Sequence, residues 1–283
     1  MKSSEGGPLL ITSDVHKSFG GVVAVDVDHL SIHRQQITAL IGPNGAGKTT
    51  YFDVVTGFVK GDRATVEFGG VDISNKASHA IAQAGLVRTF QLTRALSRMT
   101  VLENMMLAPP NQVGEHAGHT FFWRGAIKRQ EAENRATAME LLDRFSIAHL
   151  ADDYAGRLSG GQKKLLELAR ALMTEPTMVL LDEPMAGVNP TLGEQLLRYV
   201  LELRDEGLSF LFVEHDMDVV MRIAERVVVM ATGAIIADGT PDEVRSDPTV
   251  VTAYLGEHAE EDIEEAEQRA AEKRREGGED ADV

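Results

Sequence analysis

The sequence predicts an α/β fold with a parallel-sheet core, and three observations support this prediction. Residues 9–41 have the pattern of strands, because apolar residues alternate with polar ones or form short runs. The last of these runs leads directly into a glycine-rich loop and then into a helical stretch. Short apolar runs separated by helical segments, typical of parallel strands, recur at 177–181, 208–213 and 226–230.

Between these two groups of strands the pattern turns helical, from about residue 76 to 175. We assign about 90–175 to a helical subdomain inserted in the core, which resumes afterwards. Helix-start signals, each a capping residue with a carboxylate or an apolar run after it, occur at Thr100, Ser159 and Thr240.

The loop after the first core strand has the composition of a phosphate-binding loop. Residues 42–50 form a complete Gly-x-x-x-x-Gly-Lys-Thr pattern, whose glycines let backbone N–H groups turn inward around a polyphosphate. Lys48 adds a positive charge at the β/γ-phosphates and Thr49 offers a hydroxyl to Mg²⁺, while the dipole of the following helix favours the anion. We predict that the nucleotide contacts the loop at Gly42, Pro43, Asn44, Gly45, Ala46, Gly47, Lys48, Thr49 and Thr50.

Two adjacent carboxylates end a predicted buried strand at residues 178–181. This position places Asp182 beside a Mg²⁺ ion and Glu183 where a base can orient an attacking water. A strand followed by an acidic turn is the alternative for the pair taken alone. Together with the phosphate loop, the two acids favour nucleotide hydrolysis.

Composition narrows the class of protein. The chain has 283 residues and is 43% hydrophobic, which is enough for a sizeable core. The first residues are polar and no apolar run approaches ~18 residues, so we expect a cytosolic protein whose membrane role is peripheral. The absence of cysteine excludes disulfides and thiolate metal sites. We also expect no nucleic-acid partner, because no basic patch stands out.

Negative charge is concentrated at the C-terminus. Residues 257–283 carry 12 acidic and 4 basic side chains, which is half of the net charge of −16, and we expect this tail to be disordered. Only 9 of the 28 basic residues are lysine. An acidic, lysine-poor surface is typical of a protein kept soluble in concentrated salt, and an ordinary acidic protein is the alternative.

Several motifs occur together in the order found in one family. Residues 158–162 read Leu-Ser-Gly-Gly-Gln, and with the phosphate loop and the paired acids they resemble the nucleotide-binding subunits of ATP-binding-cassette (ABC) transporters over about residues 9–256. The resemblance implies a P-loop NTPase fold of this type, with an antiparallel β subdomain and a helical subdomain beside the parallel sheet. It also implies ATP and Mg²⁺ as cofactors and ATP hydrolysis as the activity.

The resemblance gives roles to single residues. Phe19 matches an aromatic that stacks on adenine, Gln91 a glutamine that contacts Mg²⁺ and water, and His215 a histidine that contacts the γ-phosphate. It makes Asp182 a metal ligand and Glu183 the catalytic base. The catalytic set is then Glu183, His215, Gln91 and Lys48, and the metal set is Thr49, Gln91 and Asp182.

The sequence Leu158–Gln162 also indicates why one subunit is insufficient. Ser159 is placed to cap a helix whose free N–H groups form a second anion site. The resemblance implies that this site, formed by Ser159, Gly160, Gly161 and Gln162, faces the γ-phosphate on another subunit. Two chains would sandwich two ATP molecules, as a homodimer or as a heterodimer with a second cassette. Residues 186–189 resemble the loop that crosses this interface, although the family more often has aspartate in place of Asn189.

Longer phrases resemble the ATPases of branched-chain amino acid importers, which implies transmembrane permease partners and, indirectly, an extracytoplasmic solute-binding protein. These phrases are found at 87–91, 99–104, 182–190, 213–217 and 253–256. The subgroup often has a bulkier residue in place of Gly160. The implied location is the cytoplasmic face of the membrane, with the permease docking on the helical insertion near Gln91 and residues 94–99. Importers of urea or short-chain amides, lipopolysaccharide-export ATPases and soluble cassette ATPases without a membrane partner are the alternatives.

Overall fold

The computed structural model describes residues 7–89, 97–110 and 124–254. Its strands, in chain order, are β1 (Pro8–Phe19), β2 (Val22–His33), β3 (Ile37–Ile41), β4 (Arg63–Phe68), β5 (Val71–Asp72), β6 (Leu86–Arg88), β7 (Met178–Asp182), β8 (Ser209–Val213), β9 (Arg226–Ala231) and β10 (Ala234–Gly239). Its helices are α1 (Lys48–Val55), α2 (Ser78–Gln83), α3 (Val101–Met106), α4 (Arg124–Arg144), α5 (Gly160–Leu172), α6 (Pro190–Asp205), α7 (Met217–Ile223) and α8 (Pro241–Ser246).

The core is a six-stranded sheet in the order β10-β9-β3-β8-β7-β6. Strands β9, β3, β8, β7 and β6 run parallel, and β10 pairs antiparallel with β9. Every residue of β3, β7 and β8 is buried, as expected for parallel strands covered on both faces. The predicted parallel-sheet core is therefore confirmed.

A second, antiparallel sheet has the order β2-β1-β4-β5. The long hairpin of β1 and β2 turns at Gly20 and Gly21, whose positive φ values of 56° and 89° suit glycine in a two-residue turn. This sheet is the antiparallel β subdomain implied by the family resemblance. It packs on α1, so the helix that follows the phosphate loop lies between the two sheets.

Three predicted helix starts are capped as expected. Thr100, Ser159 and Thr240 each accept a hydrogen bond from the backbone N–H three residues later, and the side chain of that residue reaches back to the cap. These reciprocal bonds satisfy N–H groups that would otherwise lack a partner at a helix start.

Strands β4, β5, β6 and β10 were not assigned from the sequence pattern, and β6 contradicts it. Strand β6 lies within the stretch expected to be helical from residue 76, and its three residues pair in parallel with β7. So short a segment has no pattern of its own, and its conformation is set by pairing with a strand some ninety positions away. Gln91, residues 94–96 and the acidic tail at 257–283 lie outside the described residues.

The core sheet separates two hydrophobic clusters. On β8, Phe210 and Phe212 face the cluster formed with α3 to α8, whereas Leu211 and Val213 face the cluster formed with α1 and the antiparallel sheet. This alternation follows from the two-residue period of a strand. In the described part of the chain, no helix combines the length and the apolar character needed to cross a bilayer.

We predict that Phe212→Ala lowers the free energy of unfolding by about 3–5 kcal/mol, because it leaves a cavity at a fully buried position in the central sheet. Phe58→Ala is the matched control, since Phe58 is 46% exposed and its truncation should cost about half as much or less. Urea denaturation monitored by circular dichroism measures both values. Equal losses for the two variants would contradict the assignment of the core.

Candidate functional site

The phosphate loop, the Asp182–Glu183 pair and His215 lie at the carboxyl edge of the parallel sheet. Strands β3, β8, β7 and β6 are consecutive neighbours. The ends of β3, β8 and β7 lie side by side through the pairings of Leu40 with Val213 and of Val213 with Asp182, and Arg88 at the end of β6 pairs with Leu180. The loops that leave these strands therefore begin side by side. In open α/β sheets, ligands bind at this edge.

The loop after β3 has the backbone conformation that a phosphate-binding loop requires. Gly42, Gly45 and Gly47 all have positive φ, and α1 begins directly after Gly47. A Cβ on Gly42 would lie 2.0 Å from the carbonyl oxygen of Met230. The Lys48 ammonium group sits across the loop, with Nζ donating to the carbonyl oxygens of Gly42 at 2.6 Å and Pro43 at 2.8 Å.

Backbone hydrogen bonds hold the loop from the outside. Gly233, in the turn between β9 and β10, donates to the Ala46 carbonyl at 3.0 Å and accepts from Asp26 of β2 at 2.8 Å. On the same side, a Cβ on Gly47 would lie 2.2 Å from the Ala24 carbonyl oxygen. Both sheets therefore fix the shape of the loop.

The metal-site acid predicted from the sequence is ion-paired. Asp182 is 8% exposed, and its Oδ2 accepts a hydrogen bond of 2.6 Å from Nη2 of Arg88, the last residue of β6. The other terminal nitrogen of Arg88 binds Asp53 of α1. Arg88 was not predicted as a site residue, and its sequence signals were a cation after two apolar residues and its place in the family-like phrase at 87–91.

Glu183 follows in a conformation that non-glycine residues rarely adopt, with φ of 46°. Its N–H donates to the Val213 carbonyl at 3.1 Å, so the turn is held directly against the end of β8. A left-handed residue costs on the order of 1–3 kcal/mol and tends to occur at functional sites. The strain falls on the residue predicted to be the catalytic base.

Glu214 and His215 directly follow β8 and lie in opposite environments. Glu214 is fully buried, its Oε1 accepts from the Met185 N–H at 2.9 Å, and burial raises the pKa of its carboxyl above the ordinary value. The His215 side chain is 68% exposed. The first residue therefore fixes the loop after Glu183, and the second presents its imidazole to solvent.

The predicted second anion site lies at the start of α5. Ser159 accepts from the Gln162 N–H at 3.3 Å. The N–H groups of Gly160 and Gly161 lack an intrahelical acceptor because they are the first of the helix. A Cβ on Gly160 would lie 2.6 Å from the Gly187 carbonyl oxygen, in the loop after Glu183. Asn189 ends that loop as the N-cap of α6, accepting from Leu192 N–H at 3.0 Å.

Phe19 lies at the tip of the β1–β2 hairpin and is 51% exposed. Asp62 holds this end of β1, because its carboxylate accepts hydrogen bonds from Lys17 Nζ, the Ser18 N–H and the Ser18 hydroxyl at 2.7–2.9 Å. The same bonds lower the pKa of the Asp62 carboxyl. Lys17 Nζ lies 5.2 Å from the Phe19 ring centroid. The aromatic ring is thus presented on a well-anchored strand end.

Comparison with known families identifies this arrangement. Residues 25–186 match the family described as ABC transporter, and residues 234–260 match the family described as branched-chain amino acid ATP-binding cassette transporter. The chain belongs to the ABC transporter family. The predictions of an ATP-binding-cassette fold and of an ATPase are confirmed by this membership, which rests on a match to more than half of the chain.

Curated relatives extend the match over most of the cassette. The chain is 42% identical, over 248 residues, to the probable branched-chain amino acid transport ATP-binding protein LivG of Archaeoglobus fulgidus, covering 88% of this chain and 95% of the relative. It is 39% identical over 251 residues to the high-affinity branched-chain amino acid transport ATP-binding protein BraF of Pseudomonas aeruginosa, covering 88% and 98%. The subgroup resemblance predicted from the longer phrases is confirmed at this level.

Solved structures agree with the fold. A nucleotide-free ATP-binding cassette from an ABC transporter superposes with a TM-score of 0.78 at 41% identity, covering 88% of this chain and 99% of that one. A cassette in its ADP conformation gives a TM-score of 0.77 at the same identity and coverage.

We predict that Gly42→Ala destabilises the cassette more than Gly45→Ala, although both glycines have positive φ. A Cβ on Gly45 meets nothing within 4 Å, so this variant carries only backbone strain of about 1–2 kcal/mol. Gly42→Ala adds a collision with the Met230 carbonyl, which we expect to cost about 1–3 kcal/mol more. Urea denaturation without nucleotide compares them, and equal stabilities would contradict the close approach.

Proposed function

We propose that the chain is the ATP-hydrolysing subunit of a membrane importer for branched-chain amino acids and works at the cytoplasmic face of the membrane. The observation that carries the proposal is that the phosphate loop after β3 and the Asp182–Glu183 pair after β7 lie at the same edge of the sheet, on either side of β8. The relatives named as branched-chain amino acid transport ATP-binding proteins support the solute class.

In this proposal the phosphate loop binds the ATP polyphosphate through backbone N–H groups. Lys48 leaves its carbonyl partners within the loop and pairs with the β/γ-phosphates, which carry more negative charge than a carbonyl oxygen. The positive end of the α1 dipole adds to this attraction. The exposed Phe19 ring provides a face on which adenine stacks.

The donors at this edge fit Mg²⁺. No cluster of three or more acidic, histidine or cysteine side chains that could hold a metal occurs in the residues that the structure describes. Magnesium needs no such cage, because in nucleotide sites it takes one or two carboxylates together with phosphate oxygens and water. Thr49 and Asp182 would supply those protein oxygens, with Gln91 as a third contact. When bound, the ion would neutralise charge that develops on the transferred phosphate.

Glu183 is the proposed base that orients the attacking water, and His215 is the proposed partner of the γ-phosphate. The buried Glu214 carboxylate binds the Met185 N–H and so fixes the turn that carries Glu183. His215 keeps its side chain accessible next to this turn, at the start of the loop that leaves β8.

We further propose that two cassettes close on two ATP molecules. The N–H groups of Gly160 and Gly161 at the capped start of α5 provide an anion site for the γ-phosphate bound by the other subunit. Closure is then stabilised by ATP through mass action, and hydrolysis reverses it. The permease would receive this motion through the helical region near Gln91.

We predict that Glu183→Gln gives a dimer in Mg-ATP whose turnover falls by about 100-fold or more, because the water loses its base while the phosphate contacts remain. Size-exclusion chromatography and phosphate release measure the two effects. Glu133→Gln, on the exposed face of α4, is the matched control and should behave like the wild-type chain. A strictly monomeric and fully active Glu183→Gln variant would refute the proposed mechanism.

The importer assignment has its own test. Tagged Glu183→Gln chain, isolated with Mg-ATP from the membranes of its own cells, should carry two multispanning permeases and a second cassette or a solute-binding protein. The same preparation without nucleotide is the control. Recovery from the soluble fraction with cytosolic partners would instead favour a cassette ATPase without transport. If the captured protein binds urea, an amide or a lipopolysaccharide, that ligand replaces branched-chain amino acids as the proposed solute.

A further inference from the structure

A single guanidinium group joins two elements of the nucleotide site. Arg88 is 8% exposed and lies at the end of β6, with Nη2 on Asp182 of β7 and Nη1 on Asp53 of α1. Its guanidinium carbon lies 5.6 Å from the centroid of the buried Phe52 ring. Packing and two ion pairs therefore fix its position.

Of the two carboxylates that Arg88 binds, one is a proposed metal ligand and the other lies close in sequence to a proposed ligand. Asp53 is four residues after Thr49 in α1, and residues spaced in this way lie on the same face of a helix. Asp182 is itself a proposed ligand. Arg88 thus connects the α1 face that carries the Thr49 hydroxyl with the carboxylate at the end of β7.

Arg88 binds only one of the two carboxylate oxygens of Asp182. Arg88 binds Oδ2, and Oδ1 is left to other ligands. An arginine can do this for two carboxylates at once, because its planar fork presents several N–H groups in fixed directions, whereas a lysine ammonium is a single point of charge. The third proposed metal contact, Gln91, comes three residues after Arg88 in the chain.

We infer that Arg88 is a positioning residue of the metal site: it sets the separation of the Thr49 and Asp182 oxygens and holds the Asp182 carboxylate in one orientation. Outer partners of metal ligands act in this way in other proteins, and their loss lowers metal affinity about 10–100-fold. The inference rests on the proposed function, because it takes Thr49 and Asp182 as the ligands of Mg²⁺.

The test uses the full chain, ADP and Mn²⁺ as a spectroscopic substitute for Mg²⁺. For Arg88→Lys we expect the Mn²⁺ affinity of the ADP complex, measured by electron paramagnetic resonance, to fall about tenfold or more. The ADP affinity in EDTA, measured by calorimetry, should stay within about twofold of wild type. The reason is that Arg88 binds Asp53 and Asp182, and neither belongs to the phosphate loop. A merely structural role would lower both affinities together.

Arg226→Lys is the matched control. Arg226 also bridges two elements, binding Asp238 of β10 and the Ser31 carbonyl of β2, but it lies at the start of β9, at the opposite edge of the sheet. We expect the Arg226→Lys variant to keep the wild-type Mn²⁺ affinity of the ADP complex and the wild-type ADP affinity in EDTA. If Arg88→Lys does not fold, Asp53→Asn removes one charge of the bridge and should lower the Mn²⁺ affinity in the same direction.

Two outcomes overturn the inference alone: an unchanged Mn²⁺ affinity in the folded variant, or equal losses of Mn²⁺ affinity and of metal-free ADP affinity. Either can occur while the wild-type ADP complex still binds the metal. A wild-type chain whose ADP complex does not bind Mn²⁺ would instead refute the proposed metal site, and the inference with it.

Discussion

The parallel register of four neighbouring strands is the constraint on which the site depends. Strands β3, β8, β7 and β6 end at one edge, so the loops that follow adjacent strands begin about one strand spacing apart. Parallel strands need crossover connections, and these cover both faces of the sheet with apolar side chains. The two hydrophobic clusters are the consequence, and they make the edge rigid enough to support a charged site.

Three carboxylate side chains at this edge of the sheet lie in different environments. Asp182 is buried against a guanidinium group, Glu214 is buried against backbone N–H groups, and Glu183 lies in a strained turn between them. Burial raises the pKa of the Glu214 carboxyl, and this group accepts a hydrogen bond from the Met185 N–H. In the proposed function, these three carboxylates of similar chemistry serve as a ligand, as a structural acceptor and as a base because their surroundings differ.

Local signals account for what the sequence predicted. The phosphate loop, the three capped helices and the apolar strands β7, β8 and β9 are each specified by residues adjacent in the chain. Strand β6 and the Arg88 bridge were missed because both depend on partners far away in sequence: Asp182 is 94 positions from Arg88. The contact between Gly160 and Gly187 is of the same kind. The family's motifs predicted a set of site residues but not the ion pairs between them.

The order of strands in the core sheet also has a consequence for synthesis of the chain. Strand β3 is among the first elements made, yet both of its partners, β8 and β9, follow more than 170 positions later. A strand with five buried residues must therefore emerge from the ribosome long before its hydrogen-bonding partners exist. Pairings this distant form slowly and leave apolar edges exposed to aggregation. During translation, the antiparallel sheet and α1, which are complete by residue 72, are the parts of the chain available to shield β3.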